Sequence, residues 1–293
     1  MGLKSLRRIE ATKGWSISTV YFIYTAIFWG YPFFWLFILA LSKWNFLTPR
    51  KFIWFNNFIK MFQDELFWRV VLNTFNFMLY YIPMVLGLSL LFAIALTKIK
   101  FFKTFFVLAF LVANVSSGVA YSIIFQRLFA INGPLNKFIY ALTGKTIPWF
   151  SEPQLAILSI AMMVTWKFIG YYGLILFSGL NSIPKSLYEA AELDGATGWK
   201  KFWKITLPLL NPSIVMVLVL AISLVFGIFT EPYLITGGGP MKRTFTFQMM
   251  VYTTAFQKLD PGYASTLAIV AALMSFGCVI LTRKLIEREV EYA

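Results

Sequence analysis

Six apolar stretches, near residues 18–42, 70–96, 104–127, 154–180, 212–235 and 264–282, decide what this chain can fold into. Each is long enough to cross about 30 Å of hydrocarbon at about 1.5 Å per helical residue. A bilayer offers backbone groups no water, so each stretch is expected as a helix that satisfies its own N–H and C=O groups. None shows the alternating pattern of an outer-membrane barrel strand. Composition agrees: 59% of the 293 residues are hydrophobic and 13% charged, where soluble domains average about 25% charged. The expected fold is all-α and integral to the membrane. It has an N-terminal segment 1–17, a six-span domain over 18–282 and a C-terminal tail 283–293. Ala40-Leu-Ser42 resembles a cleavage site, but the first stretch is too long for a signal-peptide core and reads as an uncleaved anchor.

Two counts remove whole chemistries. The chain has no histidine, which excludes Ser-His-Asp and Cys-His catalysis and histidine zinc sites. Its single cysteine, Cys278, lies in an apolar run and reads as a small buried hydrophobe, with no intrachain disulfide and no cysteine metal cluster.

Orientation follows from Lys and Arg near span ends. With the N-terminus inside, the inner segments carry Lys4, Arg7, Arg8 and Lys13, the tight turn with Lys98, Lys100 and Lys103, then Lys185, Lys200, Lys201, Lys204, Arg283, Lys284 and Arg288. These segments are shorter and denser in cations than the outer ones, so both termini are expected in the cytoplasm. The outer segments are also basic, with few acids (Asp64, Glu65, Glu152, Glu231, Asp260). Either lipid headgroups or an acidic solute or docking surface would account for that. Cations split between two sides of a membrane do not suit a nucleic acid.

Between the fourth and fifth spans lies a loop, 184–208, unlike an ordinary connector. Pro184 pre-sets a helix start and Ser186-Leu-Tyr-Glu189 has the capping-box pattern. Ala190, Ala191, Glu192 and Leu193 continue that helix, and Gly195 is placed to end it with a positive φ. Trp199, Phe202 and Ile205 then recur at three-residue steps on a second short helix, with Lys200, Lys201 and Lys204 on other faces. Two readings stand: an amphipathic helix resting on headgroups, or a surface that another protein approaches over small Ala190 and Ala191.

The loop spells E-A-A-x-x-x-G from Glu189 to Gly195, then, nine residues on, I-x-L-P from Ile205 to Pro208. It resembles the cytoplasmic loop of ABC importer permeases, of the maltose and glycerol-phosphate type. The likeness extends along most of the chain through Leu72-Asn-Thr74, Gly133-Pro-Leu-Asn136, Trp166, Asn181–Ala191, Asp194-Gly-Ala196, Phe202–Pro208, Leu234–Pro240 and Gly262-Tyr-Ala-Ser265. The resemblance implies a type I ABC importer permease fold in the bacterial inner membrane. It implies a second, similar permease, two ATPase subunits and an extracytoplasmic solute-binding protein as partners. It implies no cofactor on this chain, with ATP and Mg on the ATPase subunits. Glu189, Ala190, Ala191, Asp194, Gly195, Ala196, Ile205, Leu207 and Pro208 match the positions that couple to the ATPase. One departure stands out: the family often carries proline mid-way along the third span, near Ala113, where this chain reads Val112-Ala-Asn114. A bend there is left without its usual cause.

Gly144-Lys-Thr146 looks like the end of a Walker A loop, but the required glycine five positions earlier is Ile139. Gly237-Gly-Gly-Pro240 reads as a tight external turn. Lys167 is the residue that stands out physically, since a mid-span cation costs on the order of 3 kcal/mol on insertion scales. It lines a solute path, or it snorkels or pairs with a carboxylate of a partner subunit. Trp166, Tyr171, Tyr172 and Tyr233 suit stacking on sugar rings, and Asn73 joins them as a pathway candidate. Glu231 and Arg127 read as anchors near outer span ends.

The expected function is a membrane subunit of an ATP-driven carbohydrate importer, not an enzyme. The basic exterior and Lys167 favour an acidic solute, such as a uronate oligosaccharide or a phosphorylated polyol. A six-span half of a secondary transporter is the rival; it would need intramembrane acids for ion coupling, and the span middles show none. A membrane enzyme would need clustered acids near one face, and the only such cluster lies in the 184–208 loop.

Overall fold

The computed structural model describes residues 15, 18–99 and 101–288, so Lys4, Arg7, Arg8, Lys13 and Lys100 of the orientation argument lie outside the described residues. The chain divides into two compact units, Met1–Gln63 with Val251–Ile269, and Asp64–Met250 with Val270–Ala293.

In the first unit, helix α1 (Ser18–Ala40) carries a π-helical turn at Ala26–Gly30 and buries none of its most apolar window. Its rings, among them Phe28, Trp29 and Phe34, face outward, as a lipid- or protein-contacting span requires. A short antiparallel hairpin follows, β1 (Ser42–Lys43) against β2 (Lys51–Phe52), then α2 (Asn56–Gln63). Buried Asn57 donates its amide to the carbonyls of Ala40 (2.8 Å) and Ser42 (2.9 Å), capping the frayed end of α1. A Cβ on Gly262 would strike the Ser42 carbonyl oxygen; only glycine lets the backbones approach so closely. Lys60 pairs with Asp260 at 3.0 Å, so one of the outer cations is already answered within the chain.

The second unit is a helical bundle. Its long helices are α3 (Glu65–Lys98) and α7 (Pro153–Ser182), which pack along one another with α10 (Asn211–Gly227). Phe77, Tyr81, Ile160, Val164, Leu176, Leu218 and Val225 form their core. Close approach depends on small residues. A Cβ on Gly170 would come within 2.6 Å of the Phe110 Cβ, and one on Gly179 would collide with Ser213. Asp64 starts α3 by accepting from the Leu66 N–H at 2.9 Å.

Two expected spans differ from the sequence reading. The 104–127 stretch is not one rod: α4 (Lys103–Val115) and α5 (Gly118–Leu128) meet at 100°. Ser116 and Ser117 are extended there, and Ser116 turns both its N–H (3.0 Å) and its hydroxyl (2.6 Å) back to the Val112 carbonyl. The bend therefore exists without a proline. The 212–235 stretch is also broken, into α10 and α11 (Thr230–Thr236), with Ile228 extended between them. Pro232 explains this break. A continuous helix would need its missing N–H and would drive its ring into the carbonyl of Ile228. The first turn of a new helix tolerates it. Side chains satisfy the carbonyls freed by the break: Thr246 donates to Ile228 (2.9 Å) and Gln248 to Phe226 (3.3 Å).

The remaining elements are α6 (Pro134–Thr143), α8 (Lys185–Leu193), α9 (Gly198–Leu209), α12 (Phe247–Tyr252) and α13 (Pro261–Ile286). Among the described residues, four helices are long and apolar enough to cross a membrane, or up to six if α4 with α5 and α9 with α10 each count as one span.

Candidate functional site: a charged centre and an exposed loop

Half-way along α7, Lys167 reaches Glu231 in the first turn of α11, Nζ to Oε1 at 3.1 Å. Both side chains are buried, 12% and 8% exposed. The span-end role expected for Glu231 is thus corrected: the chain break at Ile228 and Phe229 turns this carboxylate into the bundle. Lys167 finds its carboxylate within its own chain, not on a partner. Its ammonium also lies over the ring of Tyr121, 5.3 Å from the centroid. Gly118, first residue after the other break, makes room; a Cβ there would sit 3.6 Å from the Lys167 Nζ and 3.2 Å from the Thr230 methyl. Tyr121 donates its hydroxyl to the Met163 carbonyl, tying α5 to α7. Tyr81 and Tyr172 are both buried in the core, 0% and 1% exposed. Both broken spans therefore meet one buried polar centre. A charge pair in such surroundings is held by mutual need, since removing one partner of a buried pair costs about 3–5 kcal/mol.

The other pathway candidates scatter. Trp166 and Tyr171 are exposed on α7, Trp166 beside Phe110. Tyr172 is sealed in the core, 1% exposed. Tyr233 is half-buried and stacks on Phe229 at 4.9 Å. Asn73 is buried and donates to the carbonyls of Lys242 (2.7 Å) and Phe245 (3.0 Å), clamping the loop that follows Gly237-Gly-Gly-Pro240. Gly237 and Gly238 both have positive φ, as a tight turn demands. Beneath that loop, Asn73, Phe77, Ile160, Val225, Ile228 and Arg243 line a small cavity.

The 184–208 loop forms a helix–turn–helix. Pro184 itself is the N-cap of α8 and no side chain caps it, so the expected capping box from Ser186 does not form; the start two residues earlier places Ser186 inside the first turn. Gly195 has φ +72°, its N–H donates to Glu192 (3.0 Å), and the Ala196 N–H reaches Ala191 (2.8 Å), the pattern of a left-handed helix stop. Ala191 and Ala196 are buried under the turn; Ile205, Leu207 and Pro208 are half-buried. Glu189, Ala190, Asp194 and Gly195 face outward. So do apolar Leu193 (91% exposed) and Trp199 (74%). Lys201 pairs with Glu192 across the turn. The second helix is longer than expected, runs through a π-helical turn at Phe202–Thr206, and bends by 65° into α10. At that bend Asn211 donates to the Ile286 carbonyl (2.8 Å) and accepts from the Arg288 N–H (2.8 Å), fastening the end of α13. Just beyond α13, a hydrogen bond from Arg283, helped by its charge, holds the Glu287 carboxyl below the usual carboxylate range.

The permease of the sulfoquinovosyl glycerol transport system of Agrobacterium fabrum is 34% identical over 235 residues, 79% of this chain and 75% of the relative. The lactose transport system permease of Rhizobium radiobacter is 30% identical over 277 residues, 92% of each chain. The fold matches a chain of a bacterial ABC transporter involved in import of the acidic polysaccharide alginate, with a TM-score of 0.79 at 21% identity over 98% of this chain and 99% of that one. That transporter has also been solved in complex with an alginate pentasaccharide-bound periplasmic protein. Residues 63–291 match the model of the binding-protein-dependent transport system inner membrane component; with both breaks, the charged centre and the exposed loop inside that range, this chain belongs to that family.

Proposed function

We propose that this chain forms half of the translocation path of an ATP-driven carbohydrate importer, with the 184–208 loop as its contact to an ATPase subunit. The chain is a permease and not an enzyme; ATP hydrolysis belongs to a separate subunit. Family membership sets aside the secondary-transporter rival. In the proposed assembly a second permease completes the path, two ATPase subunits bind ATP and Mg below, and a solute-binding protein docks on the far side. Both termini then face the cytoplasm.

The observation that carries the coupling role is the outward face of the 189–199 turn. Leu193 and Trp199 are exposed apolar side chains on a turn shaped by the left-handed Gly195, inside the segment whose E-A-A-x-x-x-G spacing matches the family loop. A photo-crosslinking residue in place of Leu193, in the complex isolated in mild detergent, is expected to capture an ATPase subunit identified by mass spectrometry. A crosslink to lipid alone would remove the assignment.

Carbohydrate is the proposed solute class, because matched relatives are permeases for sulfoquinovosyl glycerol and lactose. Lys167 is answered by Glu231, so it lends no free positive charge to an acidic solute; that preference now rests on the outer cations alone. Thermal-shift screening of the cognate binding protein against lactose, uronate oligosaccharides and glycerol 3-phosphate tests the class. A shift only with non-carbohydrate solutes would refute it.

A further inference from the structure

We propose that the Lys167–Glu231 pair is a positioning clasp: it holds the half-helices α5 and α11 against α7 as one element, and its release lets that element swing to open the path. The inference rests on the permease reading above and adds the part that moves.

Three observations carry it. First, the two breaks and the pair coincide. α5 begins at Gly118 and α11 at Thr230, and both residues touch the space around the Lys167 ammonium. Mid-span backbone that leaves the helix is tolerated where it is buried in protein or lines a water-filled cavity. Two such sites meeting at one ion pair mark a joint.

Second, the half-helices beyond the joint share a small core with Met162 and Met163 of α7. Tyr121, Phe129, Met163 and Ile235 pack together with Phe125 and Trp149, apart from the main cluster of α3, α7 and α10. α5 and α11 are packed on each other, and Gln126 of α5 donates to the Ile235 carbonyl of α11 at 3.3 Å. Tilting that element would slide it over Met162 and Met163 of α7 and leave the main cluster packed.

Third, α11 is joined to the chain before it by only Ile228 and Phe229. What ties its first turn to unbroken α7 is the ion pair, while α5 is tied to α7 by the Tyr121 hydroxyl on Met163. A buried pair is all-or-none, since either charge alone in low dielectric is strongly disfavoured. It therefore suits two discrete arrangements better than a continuous drift.

The test reads ATP hydrolysis by the permease–ATPase complex in proteoliposomes, with and without the binding protein, so the solute need not be known. Glu231→Gln is expected to raise hydrolysis without binding protein at least threefold, because the closed arrangement loses its clasp. Glu231→Gln with hydrolysis as regulated as wild type, or with only a lower yield of complex, overturns the clasp. If Glu231→Gln fails to assemble, the charge-swapped Lys167→Glu/Glu231→Lys chain is read instead: regulated hydrolysis supports the clasp and unregulated hydrolysis overturns it. A wild-type complex that shows no hydrolysis response to binding protein would count against the permease reading, not the clasp.

Discussion

The 184–208 loop and the Lys167–Glu231 centre are opposites in construction. The loop presents apolar side chains to the outside and is shaped by local backbone hydrogen bonds around one glycine. The centre hides charged and phenolic groups among apolar helices and is assembled from residues 64 positions apart. A surface that must accept a partner can be exposed because the partner completes it. A joint that must hold one of two arrangements needs interactions that tolerate no half-measures. On the proposed reading the loop receives force and the centre resists it until a threshold is passed.

Variants can break this contrast, beginning with the strongest. Gly195→Pro should abolish transport by the reconstituted complex while the protein still reaches the membrane. Proline fixes φ near −65°, whereas Gly195 needs +72° and donates its N–H to Glu192. Normal transport by this variant would detach the loop from coupling. Lys167→Ala leaves Glu231 buried alone and should cost about 3–5 kcal/mol, read as a lower Tm of the complex. Its uptake loss should be equal for acidic and neutral solutes; a selective loss for acidic ones would return the lysine to the path. Gly170→Ala presses a methyl on the Phe110 backbone and should destabilise by about 1–3 kcal/mol, seen in thermal melts with coupling unaltered. Asn211→Ala removes two hydrogen bonds worth about 0.5–1.5 kcal/mol each; faster amide exchange at 286–288 would register it. Glu192→Gln breaks only the exposed pair with Lys201 and should shift stability by less than about 1 kcal/mol. A large effect there would mean the loop is more rigid than its exposure indicates.

The loop was legible because its determinants are close in sequence: Pro184, Glu189 and Gly195 act within about three helical turns. Lys167 was legible as an anomaly, since a mid-span cation demands an explanation, but not its partner. Glu231 was misplaced because an unbroken 212–235 helix puts it near an outer end. The overlooked signal was Pro232, which disfavours helix through Ile228. The third-span break was harder. Serines at 116 and 117 only permit a bend, and nothing local to them demands 100°; the packing of α5 on α11 and α7 selects it. Asn73 and Tyr172 looked like path residues for their chemistry, while burial on α3 and α7 turned them to structural work.

Asn211 holds the end of the last helix by backbone atoms only, a carbonyl at 286 and an N–H at 288. Such a tie is blind to side-chain identity. Residues 286 and 288 can change without loosening it, save for proline at 288, which has no N–H to give, yet inserting or deleting one residue in the last turn of α13 would put the wrong peptide group in its reach. The end of α13 is therefore specified by length and not by letters, and variation there should be rich in substitutions and poor in insertions.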